Sequence, residues 1–205
     1  EAHAAAYDAL KLWDTRDADG DGNAAQVGLV HNMVAFHPKT PGTDDTAAAH
    51  ADYLFNRLYL NATILGDADT NANGIVDPGE HRPELAGRAD FIGVNYYLRA
   101  VAERSGPLGG AVIPLLDFLP TLSYQTPQNP GAPPCPSECT EFGWEIYPQG
   151  LREVLTTAGS YGLPVYITEN GIADGDDDQR PKYLVQHLAV LAQAMDISAR
   201  KADAL

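Results

Sequence analysis

The amino-acid sequence predicts an α/β fold in which a parallel sheet is covered by helices. Three short runs are apolar and contain β-branched residues, at residues 26–36, 89–97 and 164–168, as is typical of strands buried on both faces. Stretches with helical spacing separate these runs, so strands and helices alternate. Three such units fit either a doubly wound sheet or part of a (β/α)8 barrel, and periodicity alone does not distinguish the two.

Four helices are predicted around the three strands, and they alternate with them along the chain. The helices are expected at residues 1–13, 44–62, 147–162 and 181–200. The third one should end at Gly162, because Pro164 prevents its continuation. Residues 105–143 are rich in Pro and Gly and predict a loop, of the length usually found at functional rims.

Composition and charge exclude several classes of partner. The chain has 205 residues with 44% hydrophobic content, which is enough for one substantial domain. Its formal net charge is −15, so binding to nucleic acid or to anionic membranes is not expected. Because no run approaches ~18 consecutive apolar residues, no transmembrane helix is predicted. No signal-peptide pattern opens the sequence.

The two cysteines lie close together in a Pro-rich stretch, "PPCPSECTE", at Cys135 and Cys139. They fit either a small-loop disulfide or two free thiols. A disulfide would favour an oxidising compartment, and with the acidic loops described below it leans toward secretion. No further ligands stand at the usual spacing for zinc.

The third predicted strand ends in a carboxylate. In "PVYITENG", residues 164–171, the apolar run stops at Glu169, and Asn170 and Gly171 then form a turn. In barrel enzymes the catalytic groups sit at the C-terminal ends of the strands. The alternative is that Glu169 marks only the point where the strand meets water.

Several collinear motifs resemble one enzyme family. "VYITENG" (165–171) resembles the nucleophile motif of glycoside hydrolase family 1, the β-glucosidases and β-galactosidases, whose fold is a (β/α)8 barrel. "DFIGVNYY" (90–97) is similar to the sixth-strand motif of that family. The segments "GWEIYPQGL", "DDQRPKYLVQHLAVLAQAM", "HAAAYDAL" and "QVGLVHNMVAFHP" also resemble the family, in the family's order. The resemblance implies that the chain holds about strands 5–7 and their helices, with acidic insertions at about 14–25 and 66–84.

The resemblance implies a retaining β-glycosidase acting on terminal β-D-glucosyl or related bonds, without a cofactor for catalysis. Such enzymes use two carboxylates about 5–5.5 Å apart. Glu169 would be the nucleophile that forms the glycosyl-enzyme. Tyr97 would donate a hydrogen bond to Glu169 and favour its ionised form. Asn95 is expected to position the same region, and Trp144 either lines the sugar site or packs in the interior.

Two parts of the family pattern are missing from this sequence. The general acid/base of the family lies in an Asn-Glu-Pro motif, and no such motif occurs here. The Trp-rich motif of the eighth strand is also not found after the last helix. The chain therefore resembles a fragment without its acid/base, and a missing barrel segment is an expected partner.

Residues 69–80, "DTNANGIVDPGE", fit the twelve-residue EF-hand loop that binds Ca²⁺. Oxygen ligands are predicted at loop positions 1, 3, 5, 7, 9 and 12, and Gly74 occupies the sharp turn at position 6. The predicted ligands are Asp69, Asn71, Asn73, the Ile75 carbonyl, Asp77 and Glu80. The ion would be structural. The alternative is an acidic surface loop without metal.

A second acidic stretch, residues 17–23, starts similarly with Asp17, Asp19, Asp21 and Gly22, but Gly28 stands where Glu would close the loop.

Two other functional interpretations stay open. One is a non-catalytic, calcium-stabilised binding or interaction module derived from the barrel. The other is a different hydrolase with a carboxylate at a strand end. His31, His37 and His187 are interpreted as core or surface residues rather than ligands.

Overall fold

The computed structural model describes residues 1–20, 22–105 and 118–202, with side chains up to Asp196 in the last helix. Its helices and strands follow in chain order. They are α1 (Ala2–Trp13), β1 (Leu29–Pro38), α2 (Asp45–Asp52), α3 (Leu58–Leu60), β2 (Ile92–Arg104), β3 (Phe118–Thr121), α4 (Pro148–Gly159), β4 (Val165–Asn170) and α5 (Arg180–Ala202). One-turn π-helical segments follow α2 at Tyr53–Arg57 and α3 at Asn61–Leu65, and a 3₁₀ turn spans Pro83–Leu85.

The three predicted strands and the four predicted helical regions are all present, with different boundaries. β2 continues to Arg104, well past the predicted end at residue 97. The extension is stabilised by pairing on both sides, since β1 follows it to Ala102 and β3 pairs antiparallel with Val101–Arg104. β3 lies in the region predicted as loop. Residues 106–117 of that predicted loop lie outside the described residues.

The helix predicted over residues 44–62 is interrupted by a π-helical turn, and the cause is a tertiary contact. Asn56 lies in that turn and is almost fully buried, at 1% exposure. Its side chain accepts a hydrogen bond from the Val34 amide (3.0 Å) and donates one to the Val34 carbonyl (2.8 Å). Val34 sits where the pairing of β1 with β2 shifts register, so Asn56 satisfies backbone groups that the ladder leaves unpaired.

The three long strands form a parallel sheet in which β2 is central. β1 pairs with one edge of β2 and β4 with the other, both in parallel. The parallel strands therefore lie side by side in chain order, β1-β2-β4, as consecutive strands of a barrel do. A doubly wound sheet reverses its strand order at a switch point, and the described strands show no such reversal.

The two faces of this sheet are different. The outer face is covered by helices and carries a core that includes Met33, Ile92, Val94 and Tyr96, all with 0% exposure. No helix covers the opposite face among the described residues, and exposed side chains lie on it. Val30 and Tyr166 are each 53% exposed there, and a Cβ on Gly93 would meet the methyl groups of Val30 and Thr168 at 2.9 Å. We refer to this as the open face.

Cys135 and Cys139 form a disulfide between β3 and α4, so the structure contains the first of the two arrangements left open above. Within the described part of the chain, no helix combines the length and the apolar character needed to cross a membrane.

Candidate active site

The tip of β4 carries one extra residue relative to β2. Val94 pairs with Ile167, but the next pair is Asn95 with Glu169, so Thr168 is a bulge. Its hydroxyl donates a hydrogen bond to Asn95 Oδ1 at 2.6 Å. Side chains alternate along a regular strand, yet Thr168 and Glu169 are both exposed. The bulge thus re-aims Glu169, as bulges beside active sites commonly do.

Glu169 meets Tyr97 across the two strands. The Tyr97 hydroxyl donates a short hydrogen bond to Glu169 Oε2. This bond, together with burial and the charge of Glu169, raises the pKa of Tyr97 to about 12. The tyrosine therefore stays protonated and remains a donor throughout the neutral range. The contact expected between the two residues is present, and their catalytic roles are taken up under the proposed function.

The remaining two predicted site residues lie beside this pair. Asn95 is half-buried and opposes Glu169 in the ladder. Trp144 is half-buried, and its ring packs against Tyr97 with centroids 5.7 Å apart. Phe142, which sequence analysis did not select, stands edge-on to Trp144 at the same centroid distance and is 63% exposed. An aromatic surface thus extends outward from the carboxylate, of a kind that offers apolar faces with a polar tip.

A buried ion pair holds the segment that carries Trp144. The Arg99 guanidinium binds both carboxylate oxygens of Glu145, at 2.8 and 2.7 Å, and Glu145 is 1% exposed. Ser137, inside the disulfide loop, donates to the same carboxylate at 2.9 Å. Arg99 also lies over the Tyr147 ring, 4.3 Å from its centroid. Sequence analysis placed "GWEIYPQGL" in a family motif but did not identify this bidentate pair.

A mostly apolar cavity of about 410 Å³ adjoins the candidate nucleophile between β4 and α5. It is lined by Leu151, Ile167, Thr168, Glu169, Asn170, Leu184, His187, Leu188 and Leu191. His187 is 3% exposed, and its Nδ1 lies 2.8 Å from the Tyr183 carbonyl. Its Nε2 is buried and has no hydrogen-bond partner among the described residues. Burial lowers the pKa of His187, which favours the neutral ring.

The beginning of the predicted calcium loop is tied together by its first residue. Asp69 is 6% exposed, and its Oδ2 accepts hydrogen bonds from the Gly74 amide (2.7 Å) and the Tyr53 hydroxyl (2.6 Å). Its Oδ1 accepts one from the Asn73 amide at 3.2 Å. Gly74 has φ +81°, a left-handed conformation that glycine adopts without steric cost. The sharp turn expected at position 6 is therefore present.

The end of the loop folds back in the same way. Glu80 is 8% exposed and accepts hydrogen bonds from Thr70 through its amide (2.7 Å) and hydroxyl (2.6 Å). The Asp77 amide donates to its other oxygen at 2.9 Å. These donors, the Thr70 hydroxyl first, lower the pKa of Glu80. The Nδ2 groups of Asn71 and Asn73 both donate to Asp77 Oδ2, at 2.9 and 3.2 Å.

The six predicted ligands are thus close in the fold but are not arranged as a finished metal site. The Ile75 amide donates to Asn73 Oδ1 at 2.7 Å, and the Ile75 side chain is 62% exposed. Among the described residues, one set of three acidic groups has its ligand oxygens within 4.8 Å, and it lies elsewhere: Asp174, Asp176 and Asp178. Asp174 accepts hydrogen bonds from the amides of Gln179, just before α5, and of Arg180, its first residue, so this set is explained in part by capping of the helix.

The second acidic stretch is also held by its first residue. Asp17 accepts hydrogen bonds from the amides of Gly20 (2.7 Å) and Gly22 (3.0 Å). Asp21, predicted to belong to the same stretch, lies outside the described residues.

Comparison with known proteins identifies the family. The sequence profile of Glycosyl hydrolase family 1 matches residues 1–201. The chain belongs to this family. The predicted resemblance is therefore confirmed, and the parallel sheet is part of the (β/α)8 barrel of glycoside hydrolase family 1.

Relatives with assigned names match nearly all of the chain. A β-galactosidase of Pyrococcus woesei is 36% identical over 202 residues, which is 95% of this chain and 38% of the relative. A β-galactosidase of Sulfolobus acidocaldarius is 33% identical over 199 residues, or 96% and 35%. A solved β-glycosidase of Pyrococcus horikoshii superposes with TM-score 0.69 at 31% identity, covering 95% of this chain and 38% of that one. The chain thus spans little more than a third of the length of these relatives.

Proposed function

We propose that residues 1–205 form the nucleophile-bearing part of a retaining β-glycosidase. The observation that carries the proposal is the position of Glu169, on a bulge at the C-terminal end of a parallel strand and hydrogen-bonded by Tyr97. Catalytic groups of barrel enzymes lie at this end of the strands. The relatives named as β-galactosidases support β-D-galactosides, and the family supports β-D-glucosides, as the substrate class.

In the proposed reaction, a Glu169 carboxylate oxygen attacks the anomeric carbon as the glycosidic C–O bond breaks. A general acid from outside residues 1–205 protonates the leaving oxygen, and a glycosyl ester remains on Glu169. Water then attacks the same carbon, gives its proton to the now ionised acid/base group, and releases the sugar with retained configuration. Tyr97 would hold the carboxylate in line by its hydrogen bond, and Trp144 with Phe142 would contact the sugar or its leaving group.

The order of the described strands supports a specific position in the barrel. On this proposal β1, β2 and β4 are the fifth, sixth and seventh strands, because their motifs and their side-by-side order agree with the family.

The remaining strands would come from a complementary barrel segment. Three features favour such a partner. The side chains of Leu184, Val185 and Leu188 on α5 are apolar and exposed. His187 Nε2 has no hydrogen-bond partner in the described part of the chain, and a cavity lies between α5 and β4.

Chemical rescue tests the role of Glu169 directly. In the full-length protein that contains residues 1–205, Glu169→Ala should abolish hydrolysis of a dinitrophenyl β-glycoside. Azide added to this variant should restore release of the phenol, because the small anion attacks the anomeric carbon where the carboxylate stood. The product should be the α-glycosyl azide. Glu103→Ala is the matched control, since Glu103 is exposed and pairs with Lys39. This variant should hydrolyse the substrate at the normal rate and form no glycosyl azide.

The alternative, a non-catalytic binding module, predicts a different result. In that case the Glu169→Ala variant and the unaltered protein would hydrolyse the substrate equally slowly, and azide would change neither rate. A Glu169→Ala variant that keeps the full rate without azide would assign the nucleophile to another residue.

We further propose that residues 69–80 bind one structural Ca²⁺. The support is the agreement of the sequence with all six ligand positions, together with the fold of the loop around the Asp77 carboxylate. Two amide groups, from Asn71 and Asn73, converge on one oxygen of Asp77. Half a turn of each amide would present its oxygen at the same place, where a hard cation would take over the role of the N–H donors.

Titration calorimetry tests the calcium proposal without any assay of activity. The unaltered protein should bind one Ca²⁺, and Glu80→Gln should weaken that binding at least about tenfold because it removes the bidentate ligand of the loop. Glu84→Gln is the control, since Glu84 pairs with Arg82 outside the loop. Equal heats for Glu80→Gln and Glu84→Gln, or no binding at millimolar Ca²⁺, would contradict the proposal.

A further inference from the structure

The strand end that carries Glu169 is weakly held by the β-ladder. Beyond the bulge at Thr168 only two pairs join β4 to β2, Asn95 with Glu169 and Tyr96 with Asn170, and β4 then ends. Side-chain contacts outside this ladder therefore add to the attachment of the Glu169 backbone to β2.

The side-chain amide of Asn170 supplies these contacts. Its Nδ2 donates to the Tyr96 carbonyl on β2 at 2.8 Å and to the Tyr183 hydroxyl on α5 at 2.9 Å. Both hydrogens of the amide are thus used, and they connect the strand end to two different elements. Tyr183 is 1% exposed and stacks on His187 with ring centroids 3.8 Å apart. The helix-side acceptor is therefore itself fixed by packing.

The two hydrogen bonds lie next to the catalytic contact. Tyr96 precedes Tyr97 and Asn170 follows Glu169, so the same two strand segments are joined twice. One junction is the Tyr97–Glu169 bond at the exposed carboxylate, and the other is the half-buried Asn170 amide. The same kind of contact occurs at the register shift between β1 and β2, where the Asn56 side-chain amide forms hydrogen bonds with the backbone of Val34.

We propose that Asn170 is a positioning residue that holds the Glu169 carboxylate against Tyr97. The proposal rests on the proposed function, in which Glu169 is the nucleophile. Without the Asn170 amide, the tip of β4 would lose one of its connections to β2 and its connection to α5, and Glu169 would leave the Tyr97 hydroxyl for part of the time. Misplacing a reacting group by about 1 Å costs a reaction up to roughly 100-fold.

The titration of Tyr97 measures this contact independently of catalysis. The full-length protein would be labelled with ¹³C at Cζ of its tyrosines and titrated by NMR. The Tyr97 signal would be assigned by its loss in Tyr97→Phe. In the unaltered protein the Tyr97 pKa is raised to about 12. In Asn170→Ala the midpoint should fall toward the ordinary tyrosine value of about 10, because the bond to Glu169 is then only partly formed.

Two further variants complete the comparison. Tyr183→Phe removes one of the two acceptors, so it should lower the Tyr97 midpoint by less than Asn170→Ala does. It also serves if Asn170→Ala fails to fold. Asn61→Ala is the matched control, because it deletes an asparagine–tyrosine hydrogen bond of 2.6 Å, to Tyr161, away from the strand end. It should leave the Tyr97 midpoint unchanged.

Kinetics give the second readout. Asn170→Ala should lower kcat for an aryl β-glycoside about 10- to 100-fold with a much smaller change in KM, while Asn61→Ala should not. An unchanged Tyr97 midpoint in folded Asn170→Ala and Tyr183→Phe would overturn the positioning role, even if thermal stability fell. If instead Glu169→Ala keeps its activity while the Tyr97 midpoint still falls in Asn170→Ala, the proposed nucleophile fails and the positioning contact stands.

Discussion

Two carboxylates that the sequence marks as functional, Glu169 and Glu80, are held in very different ways. Glu80 is 8% exposed, and the hydrogen bonds that position it come from Thr70 and Asp77, ten and three residues away. Glu169 is exposed, and its partner Tyr97 lies 72 residues away on another strand. The contacts that position Glu80 therefore lie within the twelve residues of the loop. The strand tip is correctly built only when the sheet is assembled.

The largest expected effect separates the two carboxylates by function. Glu169→Gln should lower kcat/KM by about 10⁴-fold or more, the scale seen when a residue that does covalent chemistry is lost. Glu80→Gln should change the rate less than about twofold at a temperature where the protein stays folded, because the proposed metal is structural. Steady-state kinetics on both variants makes the comparison. A comparable loss of rate in the two variants would show that the loop takes part in catalysis.

A third carboxylate, Glu145, extends the comparison to a fully buried group. Glu145→Ala leaves Arg99 without its ion-pair partner, which should cost about 3–5 kcal/mol in the free energy of unfolding. The double change Arg99→Met with Glu145→Leu should recover much of that loss, because it removes both charges. Urea unfolding monitored by circular dichroism measures both. Equal destabilisation by the single and double changes would mean that packing, not the unpaired charge, is lost.

The thermal stabilisation by calcium should depend on Glu80 and not on Glu169. At a hundredfold excess over Kd, one bound ion adds about 2.7 kcal/mol, which raises Tm by roughly 5–10 °C for a domain of about 150–250 residues and by less for a larger one. Differential scanning calorimetry with Ca²⁺ and with chelator should show this rise in the unaltered protein and in Glu169→Gln. The rise should be lost in Glu80→Gln. A rise that survives in Glu80→Gln would place the ion elsewhere, with Asp174, Asp176 and Asp178 the first place to look.

The smallest effect concerns pH. Burial lowers the pKa of His187 and of His31 below the ordinary value, so the folded state binds fewer protons than the unfolded state. The stability that depends on these neutral rings is fully present above about pH 6.5, the unfolded value. It is lost as the pH falls from there toward the lowered folded pKa values. Unfolding measured from pH 7.5 to 5 should show this decline, with a shallower slope in His187→Phe. An unchanged slope would assign the decline to other groups.

Most of the fold was predictable because it follows from local patterns. The apolar runs at residues 26–36, 89–97 and 164–168 predicted three strands, and all are present in parallel order. Periodicity could not distinguish a barrel from a doubly wound sheet, since both place apolar strands beneath helices. The family motifs made that distinction, and the match over residues 1–201 confirmed it.

What could not be predicted depends on contacts between distant residues. The π-helical turn at Asn56 exists because its side chain satisfies Val34 on β1, and nothing in residues 44–62 indicates it. The extension of β2 to Arg104 depends on β1 and β3 as neighbours. The bulge at Thr168 is likewise a property of a strand pair, and a single strand cannot reveal it.

The candidate site shows the same division. Glu169, Tyr97, Asn95 and Trp144 were selected from sequence motifs, and the structure brings all four together. Asn170 was not selected, although it stands beside Glu169 in the motif, because its partners on β2 and α5 become neighbours only in the fold. The calcium ligands were selected from spacing alone, and in the structure oxygens of Asp69, Asn73 and Glu80 accept hydrogen bonds from amides of the loop.

The most direct measurement of the central claim is covalent trapping of the nucleophile. An activated 2-deoxy-2-fluoro-β-glycoside slows both chemical steps, but its good leaving group keeps the first one faster, so the glycosyl ester accumulates. Mass spectrometry of the intact protein and of its peptides should then show one added fluorosugar, located on Glu169 within the peptide that contains residues 165–171. A fluorosugar attached to any other residue, or turnover of ordinary β-glycosides with no adduct formed, would contradict the assignment of Glu169.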